Sequence, residues 1–124
     1  MLRLISGVVA GVVGWIVVAF ALSFLLRAVA PDVSAALNVH ATTAALAGRL
    51  AISFISSLLG GLAAALVSAE RSRAPLIAGA LLLLCWGYYH VTMIWHQFPL
   101  WYHLTFLVSL PLLSLLGGRF ARAR

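Results

Sequence analysis

Long apolar runs separated by short polar clusters organise this chain. Four runs stand out, over residues 2–26, 50–69, 76–95 and 100–116. Each is about 17–25 residues long, which is what an α-helix needs to cross a hydrocarbon layer roughly 30 Å thick. The pattern predicts an all-α integral membrane protein, with four transmembrane helices forming a compact bundle and one domain over residues 1–124. The breaks agree with the runs. Arg27 and Pro31 end the first and open a loop over residues 27–49, in which Asp32 is a helix-capping residue type and Ser34, Asn38, His40, Thr42 and Thr43 interrupt the alanines. Glu70-Arg71-Ser72-Arg73 is a polar turn, followed by Pro75 where a first helical turn tolerates it. Gln97-Phe98-Pro99 makes a second turn. Pro111 falls inside the fourth run, where its missing N–H predicts a kink, and Gly117-Gly118 closes that run.

Small residues add a finer pattern. In the second run Ser53, Ser57, Gly61, Ala65 and Ala69 recur every four positions, as do Ser56, Gly60, Ala64 and Ser68. One side of that helix is therefore small. Within lipid, helices associate by close van der Waals contact, so the stripe predicts a helix packed against at least one neighbour. Gly7, Gly11 and Gly14 share a face of the first helix in the same way. The two uses of such faces are packing within the bundle and a seam between two copies. The segment Ser57-Leu58-Leu59-Gly60-Gly61 recurs as Ser114-Leu115-Leu116-Gly117-Gly118, a short match that would relate the second helix to the fourth.

The polar-tipped rings are concentrated in one stretch. Residues 86–103 hold three of the four tryptophans, all three tyrosines and three of the four histidines. Trp95, Trp101, Tyr88, Tyr89 and Tyr102 suit an interfacial belt, while Trp86 lies deeper and suits packing against a neighbouring helix. The first helix contributes only Trp15 to such a belt. That asymmetry leaves room for a cavity lined by Tyr89, His90, Met93 and His96, with His103 near it, able to take a lipid-like or aromatic ligand.

Composition and charge then narrow the classes. The chain is 65% hydrophobic and 8% charged, with a net charge of +6 carried by arginine alone. Soluble domains carry about 25% charged residues. The arginines sit singly at the ends of apolar runs, as topology signals do, and not in a nucleic-acid-binding patch. Arg3, Arg71, Arg73, Arg119, Arg122 and Arg124 fall on one side and Arg27 and Arg49 on the other, which places both termini in the cytoplasm. The abundance of Ala, Gly, Arg and Leu suits a bacterial inner membrane. Ala28-Val29-Ala30 has the form of a signal-peptide cleavage site, but the preceding apolar run is too long for a secretory core of about 7–15 residues, and we expect the segment to be retained.

Little in the sequence offers chemistry. His90 and His96 lie roughly 240° apart on an ideal helix, so they do not form the i, i+4 pair of a helical metal site. Cys85 and Met93 share a side with His96, yet about 12 Å of helix separates them. Cys85 is the sole cysteine, which excludes an intrachain disulfide. The spans contain no Asp, Glu or Lys. The length and helix count match the small four-helix multidrug exporters, but their first-span glutamate is missing, and Trp15 and glycines stand there instead. Neither a Ser/His/Asp set nor an HExxH motif supports hydrolysis. We therefore expect no metal, no cofactor and no enzymatic activity. The first functional expectation is a non-enzymatic accessory or partner-binding component of the inner membrane, acting with a membrane-protein partner or as a homo-oligomer. The second is a small oligomeric transporter or channel for an apolar or weakly polar solute, with Pro111 as its bend. The third is a haem- or metal-associated redox module built on His90, His96 or His103.

Overall fold

The computed structural model describes residues 1–31 and 43–121. Asp32, Asn38, His40, Arg122 and Arg124 lie outside the described residues, as does most of the loop expected at 27–49. Among the described residues four long helices follow in order: α1 (Leu2–Val29), α2 (Thr43–Ser68), α3 (Arg73–Tyr89) and α4 (Leu100–Arg119). A π-helical turn, His90–Ile94, continues α3. All four are long and apolar enough to cross a bilayer, and the protein is a multi-pass membrane protein with an all-α, four-helix packed core. The second helix begins at Thr43, ahead of the span expected at 50–69, because the small and apolar residues Ala44–Gly48 extend it without a breaker.

The helices run antiparallel in sequence order. Both described chain ends and the 69–72 turn gather at one end, which we call the terminal end; the 95–99 turn lies at the other, the loop end. At the terminal end Arg71 donates from its guanidinium to the Arg119 carbonyl over 2.6 Å, tying the turn to the end of α4. Ala69 closes α2 in the left-handed region at φ 61°, the position helices usually give to glycine. Ser68 holds that turn. Its hydroxyl donates to the Ala64 carbonyl and accepts from the Glu70 N–H.

α2 is the central helix and packs against α1, α3 and α4, with α1 and α4 on opposite sides of it. Its two small rows serve two neighbours. Gly60 and Ala64 face Gly11 and Gly7 of α1, and a Cβ on Gly7 would come 2.5 Å from the Ser68 Cβ and 2.7 Å from the Ala64 carbonyl oxygen. On the other side a Cβ on Gly61 would fall onto the Ser114 carbonyl, and one on Gly117 onto the Leu58 carbonyl. Ser53, Ser57 and Ala65 of the same stripe are buried. α3 joins through Ala78, which would meet a Cβ on Gly11 at 2.9 Å, and through Gly79, which lies against Pro111 and Ser114. Gly14 is less tightly held, 3.4 Å from the Ala63 Cβ. The glycines of α1 thus pack within the bundle, and the short Ser-Leu-Leu-Gly-Gly match marks the two segments that bring α2 and α4 together. α4 continues as helix through Pro111, whose missing N–H leaves the Leu107 carbonyl without its usual partner.

The large apolar side chains of α1, among them Val9, Val13, Val17, Phe20 and Phe24, are exposed. In a bilayer that face meets acyl chains as favourably as it would meet another helix.

The contacts at Gly61 and at Gly87 differ sharply, and the difference is testable. A Cβ on Gly87 would meet nothing within 4 Å. We expect Gly61→Ala to destabilise the bundle by about 1–3 kcal/mol, the usual range for an overpacked site. Gly87→Ala should be neutral or stabilising by up to about 1 kcal/mol through helix propensity. Denaturant titration in mixed micelles, followed by tryptophan fluorescence, measures both; equal stabilities would contradict the packing described.

Candidate functional site

The glycine-mediated packing ends at Trp15. Its indole N–H donates to the Ser57 hydroxyl over 3.1 Å, a buried bond between α1 and α2. Bonds of this kind between membrane helices contribute on average about 0.6 kcal/mol. The ring also lies 5.5 Å from Trp86 of α3. Toward the loop end from this plug, the glycine row of α1 continues as Ala19 and Ser23, with Ile16, Phe20 and Phe24 on the adjoining sides of the helix. There a cavity of about 520 Å³ opens between all four helices. Its apolar wall includes Trp15, Phe20, Phe24, Ile52, Trp86 and Phe106. Ser23, Ser53, Tyr89, His90 and Tyr102 supply the polar groups, and Arg27 and Arg49 the charge.

The π-helical turn places His90 on this wall. Residues 78, 82, 86 and 90 follow a four-residue row, which drifts by about 40° per step on a 3.6-residue helix. A turn with i→i+5 bonding is wider and counteracts the drift. His90 and Ile94 therefore both face inward, at 1% and 7% exposure.

His90 and His103 form a buried pair, their Nδ1 atoms 2.8 Å apart. The Nε2 of His103 lies 3.0 Å from the Trp95 carbonyl. A carbonyl only accepts, so His103 Nε2 carries a proton and donates to it. For two neutral imidazoles the rest follows: His103 Nδ1 is the acceptor, His90 Nδ1 donates to it, and His90 Nε2 keeps its lone pair. Aromatic rings enclose the pair. His103 stacks on Trp95 at 4.6 Å and 12°, and His90 packs against both Tyr102, at 5.8 Å and 22°, and Phe106, at 4.6 Å. Two nitrogens bound to one zinc at about 2.0–2.1 Å would stand roughly 3.3 Å apart in tetrahedral geometry, so the 2.8 Å separation is that of a hydrogen bond. Among the described residues no group of three or more His, Cys, Asp and Glu side chains comes together.

Several residues singled out from sequence stand elsewhere. Tyr89 and His90 do line the cavity. Met93 is 63% exposed on the outer side of the π-turn, and His96 is exposed in the turn that follows; neither contributes to the wall. His103 is fully buried behind His90 and acts through it. The belt also needs correction. Tyr102, at 1% exposure, is a core residue, and Trp95 is half-buried against His103, so the aromatic residues form an internal cluster from which Tyr88 and Trp101 project outward.

Sequence reasoning missed Arg27, Arg49, Ser23, Phe20 and Phe24. The arginines had a detectable signal, since they are the two on the side that the other six avoid. Arg49 is half-buried, with its guanidinium carbon 5.9 Å from the centre of the Phe98 ring and beside the Tyr102 hydroxyl. Ser53 is 2% exposed, and its hydroxyl has no hydrogen-bond partner. The other serines of the stripe are satisfied: Ser56 donates to the Ile52 carbonyl, and Ser57 accepts from Trp15.

The tautomers can be read directly. In ¹⁵N imidazole spectra of labelled protein at neutral pH, we expect His103 to show a protonated Nε2 and His90 a protonated Nδ1. His103→Leu should remove the acceptor of His90 and cost about 1–3 kcal/mol of stability. The opposite pair of tautomers would contradict the network.

Comparison with protein-family models, with curated proteins and with solved structures finds no match for this chain, so the site itself carries the functional argument.

Proposed function

We propose that this protein is a non-enzymatic membrane component that binds an elongated, lipid-like molecule in the cavity at the loop end of the bundle. The observation that carries this reading is the cavity: about 520 Å³, walled mainly by aromatic and aliphatic side chains, with a small set of polar groups. Sites for small ligands have this character and commonly fall between about 300 and 1,000 Å³. The cavity ends at Trp15 and Ser57, below which the glycine contacts close the bundle. A blind cavity supports binding over conduction. Pro111 lies in the closed half, against Gly79, and away from the cavity wall. The small-residue rows are already used between α1, α2 and α4, which weakens their claim as a seam for a second copy or a partner.

The orientation in the membrane belongs to the same proposal. Arg3, Arg71, Arg73 and Arg119 stand at the terminal end, and Arg27 and Arg49 at the loop end. By the bias of arginine toward the cytoplasm, both termini lie inside, and the cavity opens toward the outer leaflet of a bacterial inner membrane. A reporter that is active only in the cytoplasm should work when fused to either terminus. Activity from one terminus alone would overturn this threading.

Binding is measurable through the tryptophans. In a Trp95→Phe/Trp101→Phe background, Trp15 and Trp86 both remain on the cavity wall. We expect a dibrominated long-chain amphiphile, titrated into the protein in non-ionic detergent, to quench their fluorescence saturably. Ala19→Phe, which puts a ring into the cavity, should weaken this quenching at least severalfold. Quenching that rises linearly and ignores Ala19→Phe would sink the binding reading.

A further inference from the structure

We propose that the ligand is an anionic amphiphile with a single apolar chain, its carboxylate or phosphate head group held between Arg27 and Arg49. This rests on the cavity reading above and adds the chemistry of the head group. Arg27 leaves the loop end of α1 and Arg49 lies on α2, and both side chains stand on the cavity wall. Neither has an acidic partner among the described residues. Of the chain's two acids, Glu70 is at the opposite end of the bundle, and Asp32 lies outside the described residues. A guanidinium presents a planar fork of donors that matches a carboxylate or phosphate. Arg49 is also pre-oriented by the Phe98 ring beneath it.

The polar groups follow an order along the cavity. The guanidinium groups lie nearest the loop end, Ser53, Tyr89, His90 and Tyr102 further in, and the mainly apolar surfaces of Trp15 and Phe106 deepest. An ionised head at the boundary with a chain directed inward matches that order. The unpartnered Ser53 hydroxyl offers a donor one turn below Arg49. The volume suits one chain better than two.

These arginines are also the two that lie on the side the other six avoid. Topology does not require them there, and an anionic ligand supplies a reason for both.

The test uses the Trp95→Phe/Trp101→Phe protein in non-ionic detergent at low salt, with 9,10-dibromostearic acid, its methyl ester and a long-chain alkyl phosphate as probes. We expect the acid to bind at least about tenfold more tightly than the ester, the effect of one or two charge-assisted hydrogen bonds. Arg27→Gln/Arg49→Gln should bring the acid down to the level of the ester and leave the ester unchanged. The alkyl phosphate, used as a competitor, separates the two sources of charge: stronger displacement than by stearate assigns a phosphate head, weaker displacement a carboxylate. Equal binding of acid and ester, or an acid affinity that ignores both arginines, overturns the head-group proposal while the cavity reading stands. Failure of acid and ester alike to quench saturably removes both. Equally tight, arginine-dependent binding of a two-chain phosphatidylglycerol overturns the single-chain assignment.

Discussion

Close approach of helix backbones is the constraint on which the rest of this structure depends. Inside a bilayer, burying a leucine against another helix gains little over burying it in acyl chains. The helices are held where residues are small enough to let many weak contacts form at once. Gly7, Gly11, Gly60, Gly61, Gly79, Gly117 and Gly118 provide this in one half of the bundle. Where the glycines stop, so does the contact. Gly14 is already looser than Gly11, and the next inward position of α1 is Trp15. Trp15, bonded to Ser57, is the boundary between the two regimes, and the cavity lies beyond it.

The open half needs a different means of holding its walls. Aromatic contacts and one hydrogen-bonded chain supply it: His90, His103 and the Trp95 carbonyl link α3, α4 and the turn between them. The two imidazoles are buried, and an unsatisfied donor in hydrocarbon costs more than the net worth of a bond made. The chain therefore specifies one arrangement of the α3–α4 hairpin more strongly than it stabilises it. The π-helical turn belongs to the same solution, since it aims His90 at His103 and also brings it onto the cavity wall.

Much of the architecture was legible in the sequence. Run lengths gave the four helices, and the repeat of Ser, Gly and Ala in α2 marked a helix packed against at least one neighbour, which in the structure touches all three others. Trp86 was recognisable as a packing residue from its depth. The site was read less well, for physical reasons. An amphipathic ring suits an interface and a core equally, so Tyr102 and Trp95 carried no mark of burial. The facing of Met93 and His96 depends on a π-turn that has no signature in composition or periodicity. The pairing of His90 with His103 joins two helices, whereas spacing rules describe one helix at a time.

The arginines show a more general difficulty. A charge at the end of an apolar run has a sufficient explanation in threading, and that explanation conceals any other. It is the exceptions that carry information. In the proposed threading six arginines of the sequence fall on the side the bias favours, so their positions say nothing of function. In that threading Arg27 and Arg49 fall on the disfavoured side, and both stand on the wall of the same cavity. An arginine at a membrane boundary can extend into water at little cost. Arg49 instead lies half-buried over Phe98, giving up part of its hydration without a described acid to compensate. On the head-group proposal an anion completes this placement, and the apolar cavity below determines what else that anion must carry.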